Sequence, residues 1–597
     1  MLPNEASPPL GRARSNQGSA KIVGAPSFSI VVPTFERREV VCDVIRALGA
    51  LRYDGRIEVI VVVDGSTDGT SAAVKAIECP FPLKVVEQAN AGAASARNSG
   101  AALARNDIIL FLDDDMIVQP DLLNEHARLY REGADAAIGD TPVKSDSSIG
   151  FLAESVGRWI ASTRVRSPLS PFDVFTGQLS VRRSVFDQLG GFDTAFTTGA
   201  SFGSEDADFG ARLLARYDVR HSPSAVSRQV YVVTPREYME RAPRAVAANL
   251  RFIRKHPDLA RQLFERRGID RPLTKWLYAP LSRIPFVPKL VAEVAVRLAD
   301  AALATRFRSN RALARFFSGA RSLAYWSALR ASGWLPFSKD ILVLCYHAIE
   351  DQSDDPVLAP YGVPPNLFAE QLDSLSRRGF TFVTPGQLAA FLSSDAPLPR
   401  RPVLLTFDDG YADLPRLARE VLQPRGIEAL AFIVSGPASG TNEWDQSYGA
   451  KTLRLLSADG QREVASLGVE VGSHSRTHLE MPLLDDDERK AETRGSSDDL
   501  AANGVPRPRF FAYPYGAVDE GSKKAVHEAG YFAGFGLKQR RLTRACDILD
   551  LPRVIVLAND RGWRFRMKTA APRIVNWYDR GRLRLVHLLD GPGHDGT

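Results

Sequence analysis

Short, almost wholly apolar runs alternate with amphipathic stretches along most of this chain, in two blocks. In the first block, residues 28–34 (FSIVVPT), 57–63 (IEVIVVV) and 107–113 (DIILFLD) are dominated by apolar residues rather than by strict alternation. Such runs predict short strands buried on both faces. Helical spacing lies between them, over residues 39–51, 71–78 and 93–104, so the block predicts a parallel α/β sheet with helices on both faces. The second block repeats the pattern over 341–346, 403–407, 429–434, 470–472, 510–513 and 531–535. Between the blocks, residues 235–338 have helical periodicity and many arginines, interrupted by prolines near 272–288. Within 311–330, Leu313, Phe316, Phe317, Ala320 and Leu323 recur every three or four residues, with Arg311, Arg315 and Arg321 between them. Two readings stay open: an amphipathic helix on an anionic membrane surface, or a helix packed on its own domains with a solvated basic face.

At 597 residues the chain is too long for one core and points to about three or four domains. Its 44% hydrophobic and 24% charged content are those of a globular protein. Cys42, Cys79, Cys345 and Cys546 lie far apart without CxxC spacing and read as single thiols in a reducing compartment. Residues 1–27 hold no apolar core for a signal peptide, and no uncharged apolar run approaches the ~18 residues of a membrane span. The expected location is the cytoplasm, with peripheral attachment to the inner face of the cell membrane as the open alternative. The net charge of +6 is uneven, because residues 241–340 carry 20 Lys and Arg against 6 Asp and Glu. A surplus confined to one connecting segment argues against nucleic acid as a partner.

The apolar runs of the first block end in polar or turn residues: Thr34-Phe35-Glu36, Asp64-Gly65-Ser66 and Asp113-Asp114-Asp115. Ligands of open α/β sheets sit outside such strand ends, and the absence of GxGxxG argues against a dinucleotide. Three carboxylates at one strand end suit Mg2+ or Mn2+ shared with phosphate oxygens, or form a plain acidic turn. Further on, residues 199–209 (GASFGSEDADF) form a Gly-rich loop whose Glu205 and Asp206 could bring a base to that phosphate.

Taken in order, VVPTFER (31–37), VDGSTDGT (63–70), NAGAASARNSG (90–100), FLDDDM (111–116), FTGQLSVRRSVFDQLGGFD (175–193) and GSEDADFGARL (203–213) resemble the family 2 glycosyltransferases. The resemblance implies a GT-A type nucleotide-sugar-binding fold and inverting transfer from a nucleotide-sugar donor to a glycan or lipid-linked acceptor. It implies Thr34, Glu36, Asp64, Arg97 and Asp114 as donor-binding residues. Asp113 and Asp115 would hold Mg2+ or Mn2+ on the diphosphate, and Asp206 would be the base, with Glu205 beside it. Two departures stand out: Val63 occupies the place where many relatives have a second Asp, and no Gln-x-x-Arg-Trp follows Asp206. The second departure favours transfer of one or a few sugars over processive synthesis.

In the second block, residues 404–410 (LLTFDDG) deliver Asp408 and Asp409 to the end of an apolar run. Adjacent carboxylates are costly to bring together unless a metal or a proton separates their roles. His474 and His478, at i and i+4 on a helical turn or tight loop, have a spacing that lets two imidazoles bind one cation. TFDDG (406–410), HSRTH (474–478) and FAYPYG (511–516) together resemble the NodB-type polysaccharide deacetylases of carbohydrate esterase family 4. The resemblance implies a distorted (β/α) barrel, Asp409, His474 and His478 on Zn2+ or a similar cation, Asp408 as general base, and a Tyr515 backbone N–H for the oxyanion. Ala512 stands where the family often has the Arg that orients the base, and Arg553 is the candidate replacement. The late Leu-x-His that supplies the acid has no counterpart in RVIVLAND (553–560), which leaves His347 and His587 as the available imidazoles.

The expected organisation is a leader (1–27), a glycosyltransferase domain (28–235), a basic helical connector (236–338), a deacetylase domain (339–590) and a tail (591–597). The expected function is a bifunctional carbohydrate enzyme of cell-surface polysaccharide or glycolipid synthesis. The alternative is an active glycosyltransferase whose deacetylase domain has lost catalysis and binds carbohydrate.

Overall fold

In the computed structural model, which describes residues 24–143, 168–197, 203–230, 233–267, 277–303, 310–335, 337–394, 396–436 and 440–572, β1 (Phe28–Thr34) is buried along its whole length. Its side chains divide between two cores, with Phe28, Ile30 and Val32 on one and Val31 on the other. That division is why the run shows no polar alternation. The chain falls into two compact units, Met1–His256 with Leu263–Leu329 and Pro257–Gln262 with Arg330–Thr597. The leader up to residue 23, part of the 199–209 loop, the tail and His587 lie outside the described residues.

In the first unit, β2 (Ile57–Asp64), β3 (Leu83–Gln88), β4 (Ile108–Leu112), β5 (Met116–Val118), β6 (Ala136–Asp140), β7 (Gln178–Arg182) and β8 (Val219–Gln229) join β1 in the order β3-β2-β1-β4-β7-β6-β8-β5. The predicted strands form the parallel half, with β1 flanked by β2 and β4. The sheet as a whole is mixed, which corrects the all-parallel expectation. β7 runs antiparallel to β4 and β6, and β5 antiparallel to β8. The polar sequence of β8 (VRHSPSAVSRQ) hides it from a search for apolar runs, and its pairing with β6 shifts register next to Gly139. Helices Arg38–Gly49 and Leu122–Arg131 cover one face, and Ala93–Leu103 and Glu205–Leu214 the other. The helix Ala93–Leu103 approaches closely: a Cβ on Gly100 would lie 2.4 Å from Val31 Cγ1.

Three helices of the expected connector, Pro235–Lys255, Val287–Leu303 and Arg311–Ala331, contribute to a core within this unit. Thr234 and Glu237 form a capping box at the start of the first. The helix Arg311–Ala331 buries Ala314, Phe317, Ala320, Leu323, Trp326 and Leu329. The three- and four-residue periodicity of 311–330 is therefore mainly that of a packed helix.

In the second unit, β9 (Asp340–Tyr346), β10 (Thr381–Phe382), β11 (Pro402–Phe407), β12 (Ala429–Ile433), β13 (Val469–Ser473), β14 (Phe510–Ala512), β15 (Ala533–Phe535), β16 (Leu542–Thr543) and β17 (Val554–Ile555) form one curled sheet. Strands β9, β11, β12, β13, β14 and β15 pair in parallel in that order. Leu551 bridges to Phe535 on β15, and β17 pairs with β9. Residues 551–555 thus link the two ends and close a distorted barrel, whose inner side chains include Val343, Leu404, Phe432, Phe510 and Phe535.

Gly100→Ala is expected to lower stability by about 1–3 kcal/mol through overpacking. The loss in Gly100→Ala/Val31→Ala should be smaller than the sum of the single losses in calorimetric unfolding; additive losses would count against a direct clash.

Candidate active sites

In the first unit, the sheet geometry gathers acids at neighbouring strand ends, and each acid meets a partner. Thr34 Oγ1 donates to Asp114 Oδ2 at 2.8 Å, and Arg37 donates to Asp114 Oδ1 at 2.9 Å and Asp115 Oδ2 at 3.4 Å. Gln229, at the end of β8, donates to Asp115 at 3.3 Å. Arg97, buried on helix Ala93–Leu103, donates to Asp113 Oδ1 at 2.7 Å and Glu205 Oε1 at 3.2 Å. Burial draws both guanidiniums downward, but the surrounding carboxylates outweigh it and keep Arg37 and Arg97 firmly protonated. Burial raises Asp114, and pushes Asp115 up to about 7 with help from Asp114 and Asp113. Asp113 is the least buried of the three and the carboxylate most open to a cation.

Asp64 and Glu36 sit at strand ends as expected, but both are engaged with the protein. Asp64 accepts from Gln88 Nε2 at 2.7 Å and from the N–H groups of Ala91 and Gly92 at 2.9 and 2.8 Å, which ties down the loop before helix Ala93–Leu103. Glu36, at φ 51°, accepts from the N–H and hydroxyl of Thr67. Glu205 and Asp206 open the helix Glu205–Leu214, and Asp206 is pushed up to about 7 by burial and then by Glu205. Arg37 and Gln229 were absent from the sequence-derived site; Arg37 lies in the VVPTFER segment, whereas Gln229 belongs to a strand with no apolar signal.

In the second unit, Asp408 and Asp409 leave β11 in different directions. Asp409 is left-handed (φ 70°), as are Ser475, His478 and Tyr515 (φ 64°, 62° and 58°). Non-glycine residues rarely adopt this conformation, and its cost is met by surrounding contacts at sites where side-chain direction matters. His474 Nε2 and His478 Nε2 each lie 3.5 Å from Asp409 Oδ1. The ligand-type atoms of these three residues all fall within 4.8 Å of one another. The histidines sit on a loop rather than a helical turn, held because Glu492 accepts from the N–H groups of Arg476 and Thr477 at 2.8 Å. His474 Nδ1 lies 2.8 Å from the Ala512 carbonyl, so an Nδ1–H donor leaves Nε2 as a lone-pair ligand. Trp444 stacks on His478 at 4.6 Å and Tyr515 meets it edge-on at 4.7 Å.

Burial lowers both imidazoles, which favours the neutral form that ligates metal. It raises Asp409, with Asp408 adding repulsion. Two neutral imidazoles and a buried carboxylate converging on one point fit Zn2+ or a similar cation. Among the described residues, the three-residue groups with this convergence are this one and Cys345, His347 and Asp408 beside it.

Asp408 has the opposite environment. Arg553, fully buried, donates through Nη1 to Asp408 Oδ1 at 2.5 Å and through Nη2 to Oδ2 at 2.9 Å. Its Nε–H goes to the Gly536 carbonyl at 3.2 Å, and its guanidinium lies 5.1 Å from the Phe432 ring centre. Burial pushes Asp408 up, but Arg553, then His474 and His347, outweigh it and hold the carboxyl well below the usual range. His347, at the end of β9, has a buried Nδ1 without a hydrogen-bond partner in the structure.

Two family models match the chain: glycosyl transferase family 2 over residues 29–190 and polysaccharide deacetylase over residues 395–534. The chain therefore carries a family 2 glycosyltransferase domain followed by a polysaccharide deacetylase domain, and both are enzyme domains. The first half is similar to validoxylamine A glucosyltransferase of Streptomyces hygroscopicus subsp. limoneus, 31% identical over 41% of this chain and 60% of that protein. The chain thus spans less than two thirds of that relative's length. The second half is similar to poly-β-1,6-N-acetyl-D-glucosamine N-deacetylase of Staphylococcus epidermidis, 26% identical over 34% of this chain and 69% of that protein. A solved structure, Streptococcus pyogenes deacetylase PplD in complex with acetate, is 22% identical over 38% of this chain and 98% of its own, with a TM-score of 0.33.

Arg553→Met leaves Asp408 buried without its cation and is expected to cost roughly 3–5 kcal/mol at neutral pH. In the wild type, the depressed folded pKa of Asp408 makes its contribution present above the unfolded value of about 4 and lost as pH falls below it. In Arg553→Met the sign reverses, and stability rises on acidification as Asp408 takes a proton. Calorimetric unfolding across pH 4–8 that shows parallel curves for the two proteins would remove the pair from this role.

Proposed function

We propose that the chain is a bifunctional carbohydrate enzyme, combining inverting transfer from a nucleotide-sugar donor with metal-dependent hydrolysis of an N-acetyl group on a glycan. The observation that carries the second activity is the fork between Arg553 and Asp408 beside the Asp409, His474 and His478 donor set. Ala512 and the missing late Leu-x-His favour a barrel retained only for binding. Against that reading, the carboxylate held ionised stands directly beside a three-ligand pocket, the pairing that water activation needs and that binding alone does not.

A cation held by Asp409, His474 and His478 supplies Lewis-acid polarisation and lowers the pKa of water. Asp408 accepts the proton of the attacking water, and Arg553 keeps Asp408 ionised to do so. The Tyr515 N–H is offered to the oxyanion. His347, its ligand atom within 4.8 Å of those of Asp408 and Cys345, is kept neutral by burial, which pushes its pKa down to about 4, so it takes up the proton that Asp408 has accepted from water and passes it to the leaving amine. The name of the N-deacetylase relative makes a β-linked N-acetylglucosamine chain the first substrate to try. Purified chain loaded with Zn2+ is expected to release acetate from such oligomers, and Asp409→Ala or chelation to abolish the release. His347→Gln should slow amide hydrolysis by roughly 10²–10⁴-fold. It should affect an activated aryl acetate far less, because that leaving group departs without a proton. Equal losses on the two substrates would exclude His347 as the acid.

On the transferase side, Asp206 is the base for the acceptor hydroxyl, and its pKa of about 7 is matched to proton transfer near neutrality. Asp113, the most open of the three strand-end carboxylates and positioned by Arg97, would engage Mg2+ or Mn2+ together with the donor diphosphate, while Arg37 holds Asp114 and Asp115 in place. The transfer rate is expected to rise with pH and level off above about 7, with the rise lost in Asp206→Asn. Nucleotide release from a panel of nucleotide sugars, with acetate measured in the same tube, tests both halves at once. Tethering raises the local concentration of the first product at the second site if one glycan passes between them.

A further inference from the structure

The helix Val287–Leu303 buries one side and leaves the other open. Pro288, Ala295, Val296, Ala299 and Ala302 are buried, and from Ala295 onward these residues join the core that contains Phe317 and Ala320. Away from that core, Leu290, Val294 and Leu298 follow one another at four-residue intervals and are all exposed. Phe286 continues the stripe one turn upstream, with Ile284 near it. Phe286 is 67% exposed and Leu290 57%. A single exposed apolar side chain needs no explanation, whereas a contiguous row marks a surface that something covers.

Charge along the stripe is uneven. From residue 277 to 292 the sequence contains Arg283 and Lys289 and no acid, and both basic residues are exposed. Farther along, Glu293 pairs with both Arg236 and Arg297 and Asp300 is exposed, so two acids balance two bases on that part of the edge. The end bearing Phe286 and Leu290 is therefore both the most apolar and the most cationic part of the face.

We propose that this face, centred on Phe286 and Leu290 and flanked by Arg283 and Lys289, docks on an anionic bilayer surface. Apolar side chains of a surface helix enter the boundary between headgroups and acyl chains, while Lys and Arg reach the headgroup phosphates. Each such cation strengthens binding to an anionic surface by roughly fivefold. Among the described residues no helix is long and apolar enough to cross a membrane. A second copy of the chain fits the face less well. A symmetric pairing would bring four cations and no acid together around Phe286 and Leu290.

Co-sedimentation of the full chain with phosphatidylglycerol–phosphatidylcholine vesicles, against phosphatidylcholine alone, tests the proposal. The chain is expected to bind the anionic vesicles, to be partly released by salt, and to leave the neutral ones unbound. Phe286→Ser/Leu290→Ser and, separately, Arg283→Glu/Lys289→Glu should each weaken binding by about tenfold or more. Neither should shift the unfolding midpoint, since all four side chains are exposed. Absence of binding to anionic vesicles, or full binding retained by either double variant, overturns the proposal. So does a concentration-dependent dimer that Phe286→Ser/Leu290→Ser makes monomeric, which would assign the face to a second copy.

Discussion

The barrel of the second unit depends on one buried ion pair. Bringing Asp408 and Asp409 side by side into an apolar interior is unfavourable for both charges unless each finds separate compensation. Arg553 resolves half of that conflict by gripping both oxygens of Asp408, with two of its three other donors going to Gly536 and Thr406. The other half stays open at Asp409, which burial and its neighbour push toward protonation and toward which two neutral imidazoles are turned. One Arg thus gives two chemically identical neighbours opposite charge environments.

The same constraint explains the local backbone. Asp409, Ser475, His478 and Tyr515 are all left-handed, and all belong to the strand-end loops that frame this point. Regular extension of the strands would aim these side chains elsewhere, so the strain serves direction. The surrounding contacts hold it: Glu492 under the histidine loop, Trp444 against His478, and the Ala512 carbonyl on His474. The first unit meets a similar problem differently. There Arg37 and Arg97 distribute positive charge over Asp113, Asp114, Asp115 and Glu205, and the carboxylates line up along guanidiniums rather than converging on one point.

The basic segment shows how a sequence pattern can be right about the element and leave its partner undecided. The periodic residues of 311–330 pack largely inward, leaving Phe316 as the large apolar side chain exposed on that helix. The exposed apolar row lies one helix earlier, at Phe286, Leu290, Val294 and Leu298. A helix with apolar residues on both sides has a weak amphipathic signature, so nothing in the spacing of 287–303 marks which side meets the core.

The strands with continuous apolar runs, the helices between them, the acidic strand ends and the paired histidines were legible in the sequence because each rests on local spacing. Strands β1 and β2 begin at the predicted residues, and Asp409, His474 and His478, grouped by the family resemblance, lie with their ligand-type atoms within 4.8 Å of one another. The polar strand β8 was not legible, since its pairing depends on a neighbour far away in sequence. Nor were the partners of the acids. Arg37 for Asp114, Gln229 for Asp115 and Glu492 beneath the histidine loop carry no signature of their own. Arg553 could be named from sequence as a candidate, but nothing in LPRVIV says where its side chain goes. That was decided when residues 551–555 closed the barrel between β15 and β9, because only closure carries a residue 145 positions away to the carboxylate of Asp408. For the opening pair of acids, then, the sequence by itself determined that two charges would meet at one strand end. Which of them stays charged was left to the tertiary structure, because charge state inside a protein follows from neighbours that local sequence does not contain.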